Sequence, residues 1–161
     1  MCGITGFIGN ENAYIQILAG LYQLQNRGYD SAGISVIEDG EIKTHKYAST
    51  DTLSALTQLS EFENQYENRF VGIGHTRWAT HGAKTDTNSH PHVSHDGLFS
   101  LVHNGIIENF QEIKKRLMEK GIEMKSQTDT EVIVNLIAVH FEECGDVEQA
   151  IKETTEELTG T

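Results

Sequence analysis

The spacing of apolar residues along the chain predicts short strands and amphipathic helices in mixed order. Strands are predicted where apolar and small residues run together, and Asp39-Gly40 between two such runs predicts a tight hairpin. Helices are predicted where apolar residues recur every three or four positions. The predicted strands cover residues 3–9, 34–36, 42–44, 71–75 and 98–102, and the predicted helices cover residues 14–25, 51–59, 110–117 and 129–139.

Two predicted helices carry capping signals at their N-termini. Thr128 with Glu131 three residues later forms a capping box, and Asp146 with Gln149 predicts a last helix. The helix after Thr128 is apolar over a wide arc, so we expect it to be well buried. The polar, glycine-rich segment 26–33 is predicted to be a loop. Together these elements predict one mixed α/β layered domain with antiparallel pairing at the hairpin.

Composition narrows the possible partners and the location. The chain has 161 residues, 37% of them hydrophobic, and a formal net charge of −12. Such a charge repels phosphate groups, so we expect neither nucleic acid nor an anionic membrane as a partner. Without an apolar run of bilayer length or a leader-like N-terminus, the protein is predicted to be soluble and cytoplasmic. Cys2 and Cys144 form no recognisable disulfide framework, as in proteins of a reducing compartment.

Cys2 combines a thiol with a potentially free α-amine. Met1 precedes a small side chain, so its removal is plausible and would leave Cys2 at the N-terminus. An α-amine titrates at about 7.7–8.0, which makes this residue a nucleophile with its own base. The alternative is that Cys2 only begins a buried strand. A retained Met1 would turn the amine into an amide without basicity.

Six of the eight histidines lie between His75 and His103, which raises the question of a metal site. His90, His92 and His95 are the tempting zinc ligands. Their spacing is not that of a helical zinc pair, and no clustered cysteine or carboxylate completes the set. We therefore favour histidines that are hydrogen-bonded within a loop, and we expect neither a metal nor another cofactor.

Arg77 and Asp129 are candidate ligands for the two charged groups of an amino acid. Arg77 directly follows a predicted strand and could present its planar fork to a carboxylate, although an internal ion pair is an equal alternative. Asp129 begins the most buried helix and could hold an ammonium group. Its alternative role is to interact with the helix dipole.

Asn104-Gly105 follows the predicted strand 98–102. A side-chain amide beside a glycine N–H supplies two adjacent donors, which suits an oxyanion hole. Taken alone, this dipeptide is more often a turn.

Taken together, these motifs resemble the glutamine amidotransferase domains of the N-terminal-nucleophile class. Within this family the resemblance is strongest to the branch of the glutamine–fructose-6-phosphate aminotransferases. It spans nearly the whole chain and rests, in order, on the segments MCGITGFIG, NRGYDSAGI, HTRWATHG, NSHPHV, HNGIIEN and TDTEVI.

The resemblance implies a fold and a role for each site residue. The implied fold is α+β, a four-layer αββα sandwich with two antiparallel sheets. Cys2 would be the nucleophile, with Asn104 and Gly105 as oxyanion donors. The substrate, L-glutamine, would be bound by Arg77, Trp78, Thr80, His81, Gly105 and Asp129, with Trp78 closing the site and Arg27 supporting the loop near Cys2.

The implied reaction is hydrolysis of the glutamine amide, with ammonia passed to fructose 6-phosphate in a full-length homo-oligomer. The family's domain continues well past residue 161, so residues 1–161 are expected to be an incomplete glutaminase domain without the sugar-binding isomerase domains. Asn26 replaces the family's usual tyrosine, and we expect only a local effect. Open alternatives are another ammonia acceptor, as in amidophosphoribosyltransferase, an inactive glutamine-binding fragment and, less plausibly, a self-processing hydrolase.

Overall fold

The computed structural model describes residues 2–27, 29–78 and 83–161, with the backbone only at residue 27. In this part of the chain, four strands form an antiparallel sheet in the order β1-β4-β2-β3. They are β1 (Gly3–Ile8), β2 (Ser31–Glu38), β3 (Glu41–Ala48) and β4 (Val71–Arg77). The remaining described strands, β5 (His92–Val93) and β6 (Ser100–Leu101), pair in a small second sheet.

The described helices are α1 (Ala13–Leu24), α2 (Ala55–Ser60), α3 (Phe110–Glu119), α4 (Asp129–Cys144) and α5 (Val147–Glu157). A short 3₁₀ helix spans Gln25–Arg27. Helix α1 packs on the large sheet, whereas α4 packs on the small sheet and against α3 and α5. The chain thus forms layers of helix, large sheet, small sheet and helix. The predicted α+β arrangement with two antiparallel sheets is confirmed.

The predicted hairpin connects β2 and β3. Asp39 and Gly40 both have positive φ values, 52° and 83°, as a two-residue turn of this hand requires. The predicted loop 26–33 was too long, because β2 already begins at Ser31. This strand lies inside the large sheet and its first six residues are buried, with α1 and α2 packed against it and the small sheet close to Gly33 and Ser35. Its small residues therefore show no polar–apolar alternation.

The two sheets approach closely at Gly33. A Cβ added at Gly33 would lie 2.1 Å from the carbonyl oxygen of His90, so only glycine fits here. Next to it, the Ser100 hydroxyl donates a hydrogen bond of 2.8 Å to Ser35 on β2. The predicted strand 98–102 is reduced to two residues, because the chain turns at Gly97 with φ 77° and Leu98 is exposed.

Helix α4 is the most buried helix of the domain, as predicted: its residues from Thr130 to Val139 are all buried. Thr128 accepts a hydrogen bond from the Glu131 backbone N–H, which forms one half of the predicted capping box. The Glu131 carboxylate does not complete the box. It accepts bonds from the Lys125 and Ser126 backbone N–H groups at 2.8 and 2.6 Å and fixes the segment before the helix. None of the helices in the described ranges is both long and apolar enough to span a bilayer.

Candidate active site

A cleft of about 560 Å³ opens where β1 begins and β4 ends, beside the N-terminus of α4. The predicted site residues that line it are Cys2, Arg77, Trp78, Asn104, Gly105 and Asp129. Thr80 and His81 lie outside the described residues, as does the Arg27 side chain. Residues that are up to 127 positions apart in sequence, Cys2 and Asp129, therefore meet at one cavity.

The Cys2 side chain faces the cleft and is only partly buried. Its sulfur accepts a hydrogen bond from the Trp78 N–H at 3.3 Å and lies 3.6 Å from the Trp78 carbonyl oxygen. The antiparallel pairing of Gly3 with Thr76 fixes this position, because it places Cys2 opposite the end of β4. Because its thiol lies at an open cavity, Cys2 does not only begin a buried strand.

Asn104 reaches the Cys2 backbone through its side-chain amide. Its Nδ2 donates to the Cys2 carbonyl oxygen at 3.2 Å, and its Oδ1 lies 2.7 Å from Nε2 of His75. Gly105 is packed against the C-terminal segment, since an added Cβ would lie 1.8 Å from the Thr161 carbonyl oxygen. A side chain at this position would push the segment away from the cleft.

Arg77 and Asp129 supply opposite charges to the same cleft. The Arg77 side chain is only 5% exposed and donates to the Ala83 carbonyl oxygen at 3.4 Å. Burial lowers the pKa of Arg77, while Cys2, Asp30 and Asp129 counteract this change. Asp129 begins α4, and its Oδ2 accepts the Ile107 N–H at 2.9 Å. A guanidinium and a carboxylate at one cavity match the two charges of an α-amino acid.

Trp78 lies at the rim of the cleft. It is 43% exposed and contacts Tyr29 edge-on, with 5.4 Å between the ring centroids. Its predicted role in closing the site stays a prediction.

Asn88 connects the segments on two sides of the cleft, and it was not predicted from the sequence. Its side chain is buried, with Nδ2 donating to the Ala83 carbonyl oxygen at 2.9 Å and to Gln127 Oε1 at 3.2 Å. Its Oδ1 accepts the Gln127 N–H at 2.9 Å. Asn88 thereby joins the segment after Arg77 to the segment before Asp129. The signal was the polar NSHPHV motif, but the partner Gln127 lies 39 residues away in sequence.

His75, His90 and His92 form a buried cluster beneath the cleft. The rings of His75 and His90 stack with centroids 4.3 Å apart, and His92 meets His90 edge-on at 4.9 Å. Burial lowers the pKa of His75 to about 4 and that of His92 to about 2, and it lowers the pKa of His90 as well. All three rings are therefore neutral at pH 7.

The histidines considered as zinc ligands, His90, His92 and His95, do not share one point of coordination. His92 Nε2 lies 2.9 Å from the Thr128 hydroxyl, and the His95 Nδ1 lies 3.1 Å from Asn135 Oδ1. Among the described residues, no group of three or more histidine, cysteine and acidic side chains could hold a metal ion.

Comparison with known proteins gives a consistent set of relatives. A family model described as a glutamine amidotransferase domain matches residues 58–151. The chain is 46% identical over its full length to a glutamine–fructose-6-phosphate aminotransferase of Caldanaerobacter subterraneus and 47% identical to that of Clostridium perfringens. It covers 26% and 25% of these proteins, so the chain spans about a quarter of the length of the curated relatives it matches.

Solved structures agree with the observed fold. The glutamine phosphoribosylpyrophosphate amidotransferase of Bacillus subtilis superposes with a TM-score of 0.76 at 27% identity, over 99% of this chain and 33% of that one. A structure described as the allosteric regulatory enzyme of purine biosynthesis gives 0.79 at 27% identity, over 99% and 34% of the two chains. The family model covers more than half of the described fold, including the strand that carries Arg77 and the start of α4. This chain belongs to the glutamine amidotransferase domain family.

Proposed function

We propose that this chain is a glutaminase domain that hydrolyses the side-chain amide of L-glutamine through the Cys2 thiol. The observation that carries the proposal is the shared cleft, in which a thiol, an amide donor, a guanidinium and a carboxylate meet. Its volume of about 560 Å³ lies within the range of small-molecule sites.

Substrate binding follows from the charges. Arg77 binds the α-carboxylate of glutamine, Asp129 binds the α-ammonium group, and Thr80 and His81 contribute further contacts. With both ends of the amino acid held, the side-chain amide extends toward Cys2. Asparagine is one methylene shorter, so its carbonyl carbon would not reach the sulfur, and such misplacement strongly reduces the rate.

The reaction proceeds through a covalent intermediate. The Cys2 thiolate attacks the amide carbon, and the Nδ2 of Asn104 and the N–H of Gly105 donate hydrogen bonds to the oxyanion. The amide nitrogen is protonated and leaves as ammonia, and water then cleaves the glutamyl thioester to give glutamate. The base is the α-amine of Cys2, set free by removal of Met1 and acting through a water molecule.

The full-length protein is proposed to pass the ammonia to fructose 6-phosphate and so to form glucosamine 6-phosphate. Support comes from identities of 42–47% to aminotransferases of this name, compared with 27% to the phosphoribosylpyrophosphate amidotransferase. Residues 1–161 would then be the glutaminase part, with isomerase domains in the remaining length and a cytoplasmic homo-oligomer as the working form. Trp78 would close the site and direct ammonia, with Arg27 supporting the loop near Cys2.

The two cysteines offer a matched test of the nucleophile. In the full-length protein, we expect Cys2→Ala to abolish glutamate release, whereas Cys144→Ser, at the exposed end of α4, leaves it unchanged. Glutamate is quantified with and without fructose 6-phosphate or phosphoribosyl pyrophosphate, which also identifies the acceptor. Intact mass reports whether Met1 has been removed. Undiminished turnover in the Cys2→Ala variant would refute the proposal, and glutamine binding without ammonia release by the processed wild type would indicate a binding module instead.

A further inference from the structure

We propose that His75 is a positioning residue that holds the Asn104 amide with its nitrogen, rather than its oxygen, facing the nucleophile. This inference rests on the proposed glutaminase function and deepens it. It assigns a purpose to a buried histidine that does not itself contact the reacting atoms.

An asparagine in an oxyanion hole requires such a constraint. The oxygen and nitrogen of a side-chain amide are nearly equal in shape, and a half-turn about the last torsion exchanges them. In one orientation Asn104 offers an N–H to the developing negative charge. In the other it presents oxygen lone pairs, which would repel that charge.

The hydrogen-bond partners select one orientation. The backbone carbonyl of Cys2 only accepts, so the atom of Asn104 that lies 3.2 Å from it is the nitrogen. The Asn104 oxygen therefore faces His75, and Nε2 of His75 must carry the proton that it donates across 2.7 Å. One hydrogen of the Asn104 NH₂ group is used for Cys2, and the second remains for the substrate oxyanion.

The other ring nitrogen of His75 is consistent with this tautomer. Nδ1 is buried, and among the described residues it has no hydrogen-bond partner of normal geometry. A buried N–H without an acceptor would lose the full free energy of its hydration, so the unprotonated state of Nδ1 is preferred. Nε2 then keeps the single proton.

Packing keeps the donor in place. His75 is 1% exposed, and the parallel ring of His90 covers its face at 4.3 Å. Burial lowers the pKa of His75 to about 4, so the ring stays neutral and keeps the same tautomer through the neutral pH range. The backbone that carries the ring is also held in place, because His75 lies in the centre of β4 and pairs with Ile4 on β1 and with Gly33 on β2.

The expected defect is in the chemical step. Removing an oxyanion donor lowers kcat by about 10²–10³-fold. Loss of its orienting partner leaves Asn104 held only by the Cys2 carbonyl, so the amide is less firmly oriented and we expect kcat to fall by about tenfold, less than in Asn104→Ala. KM should change by less than about threefold, because Arg77 and Asp129 still hold the substrate.

The experiment compares His75→Phe with His75→Gln in the full-length protein. Phenylalanine keeps the stacking on His90 but has no donor, whereas glutamine restores an N–H in place of the ring nitrogen. We expect glutamine hydrolysis to be slow in His75→Phe and at least partly restored in His75→Gln. Inhibition by a glutamine analogue with an aldehyde in place of the amide, which forms an oxyanion-bearing adduct with Cys2, should weaken in parallel with kcat, while glutamate binding stays unchanged.

A second measurement on the wild type does not depend on the folding of a variant. Histidine-selective ¹⁵N NMR should show His75 as the neutral Nε2–H tautomer. A His75 protonated at Nδ1, or a His75→Phe variant with unchanged kcat and aldehyde affinity in an active protein, would overturn the inference. A wild type without glutamate release would instead overturn the proposed function, even where the NMR tautomer is as expected.

Discussion

Replacing Gly33 by alanine should separate the two sheets. The new Cβ would lie 2.1 Å from the His90 carbonyl oxygen and 2.6 Å from the Lys46 Cβ. Ordinary contact begins near 3.4 Å, so the His90 backbone would have to retreat by the difference, 1.3 Å. Backbone atoms cannot escape by a change of rotamer.

The free energy of unfolding should fall by about 3–4 kcal/mol in Gly33→Ala. Overpacking in a core costs about 1–3 kcal/mol, and the upper end applies because both the His90 backbone and Lys46 on β3 collide with the methyl group. Separation of the sheets also stretches the Ser100–Ser35 hydrogen bond, which adds about 1 kcal/mol. For a domain of this size, the sum corresponds to a decrease in Tm of about 10 °C.

Gly6→Ala is the matched control on the same sheet. Gly6 is exposed on the edge strand β1, and the nearest atom to an added Cβ is 3.9 Å away. Alanine is favoured over glycine in a strand by about 0.5–1 kcal/mol, so this variant should be as stable as the wild type or slightly more stable. Urea unfolding monitored by circular dichroism measures both. Equal stabilities of the two alanine variants would refute the assignment of Gly33 as the contact between the sheets.

Two further predictions concern buried polar groups. Glu131→Ala leaves the Ser126 N–H and hydroxyl without their acceptor, so the free energy of unfolding measured in urea should fall by about 2–6 kcal/mol. For the control Glu123→Ala, at an exposed position, it should fall by less than about 0.5 kcal/mol. Equal losses in the two variants would contradict this prediction. Burial lowers the pKa of His90 far below the value of 6.5 in the unfolded chain. As the pH falls below about 6.5, the unfolded chain therefore binds more protons at this residue than the folded protein does. The free energy of unfolding consequently decreases toward pH 4. In His90→Phe, the slope of unfolding free energy against pH between 6 and 4.5 should shrink by about 1.4 kcal/mol per pH unit, and an unchanged slope would contradict a buried neutral His90.

Elements with strong local signals were predictable from the sequence. The hairpin at Asp39-Gly40, helix α4 and the caps at Thr128 and Asp146 depend on residues a few positions apart, and all of them are present. The start of β2 at Ser31 and the shortness of β6 were not predictable. Both boundaries depend on tertiary contacts, since the neighbouring strands and the layers packed on the faces decide whether a run of small residues forms a strand.

The candidate site likewise contains residues that were predicted from the sequence and one that was not. The resemblance predicted that Cys2, Arg77, Asn104 and Asp129 would share a cleft, and these residues do line one cavity, while their roles stay predictions. Asn88 was missed because its partners come from the segments around Ala83 and Gln127. No periodicity in the sequence encodes a hydrogen bond between two loops.

The buried histidines His75 and His90 form a stacked pair of neutral rings beside the cleft. Zinc ligands must direct their lone pairs at a common point, but His92 and His95 lie at hydrogen-bond distance from Thr128 and Asn135 respectively, and the His90 ring is stacked on His75. The low pKa values of His75 and His90 exclude a positive charge at neutral pH, and a neutral ring with one proton is a directional donor. Arg77 supplies a positive charge to the same cleft. The proposed arrangement requires from His75 a donor that determines which end of the Asn104 amide faces the oxyanion. A stacked, neutral histidine does determine it, and this accounts for a pair of apparently reactive rings being buried directly beneath the cleft.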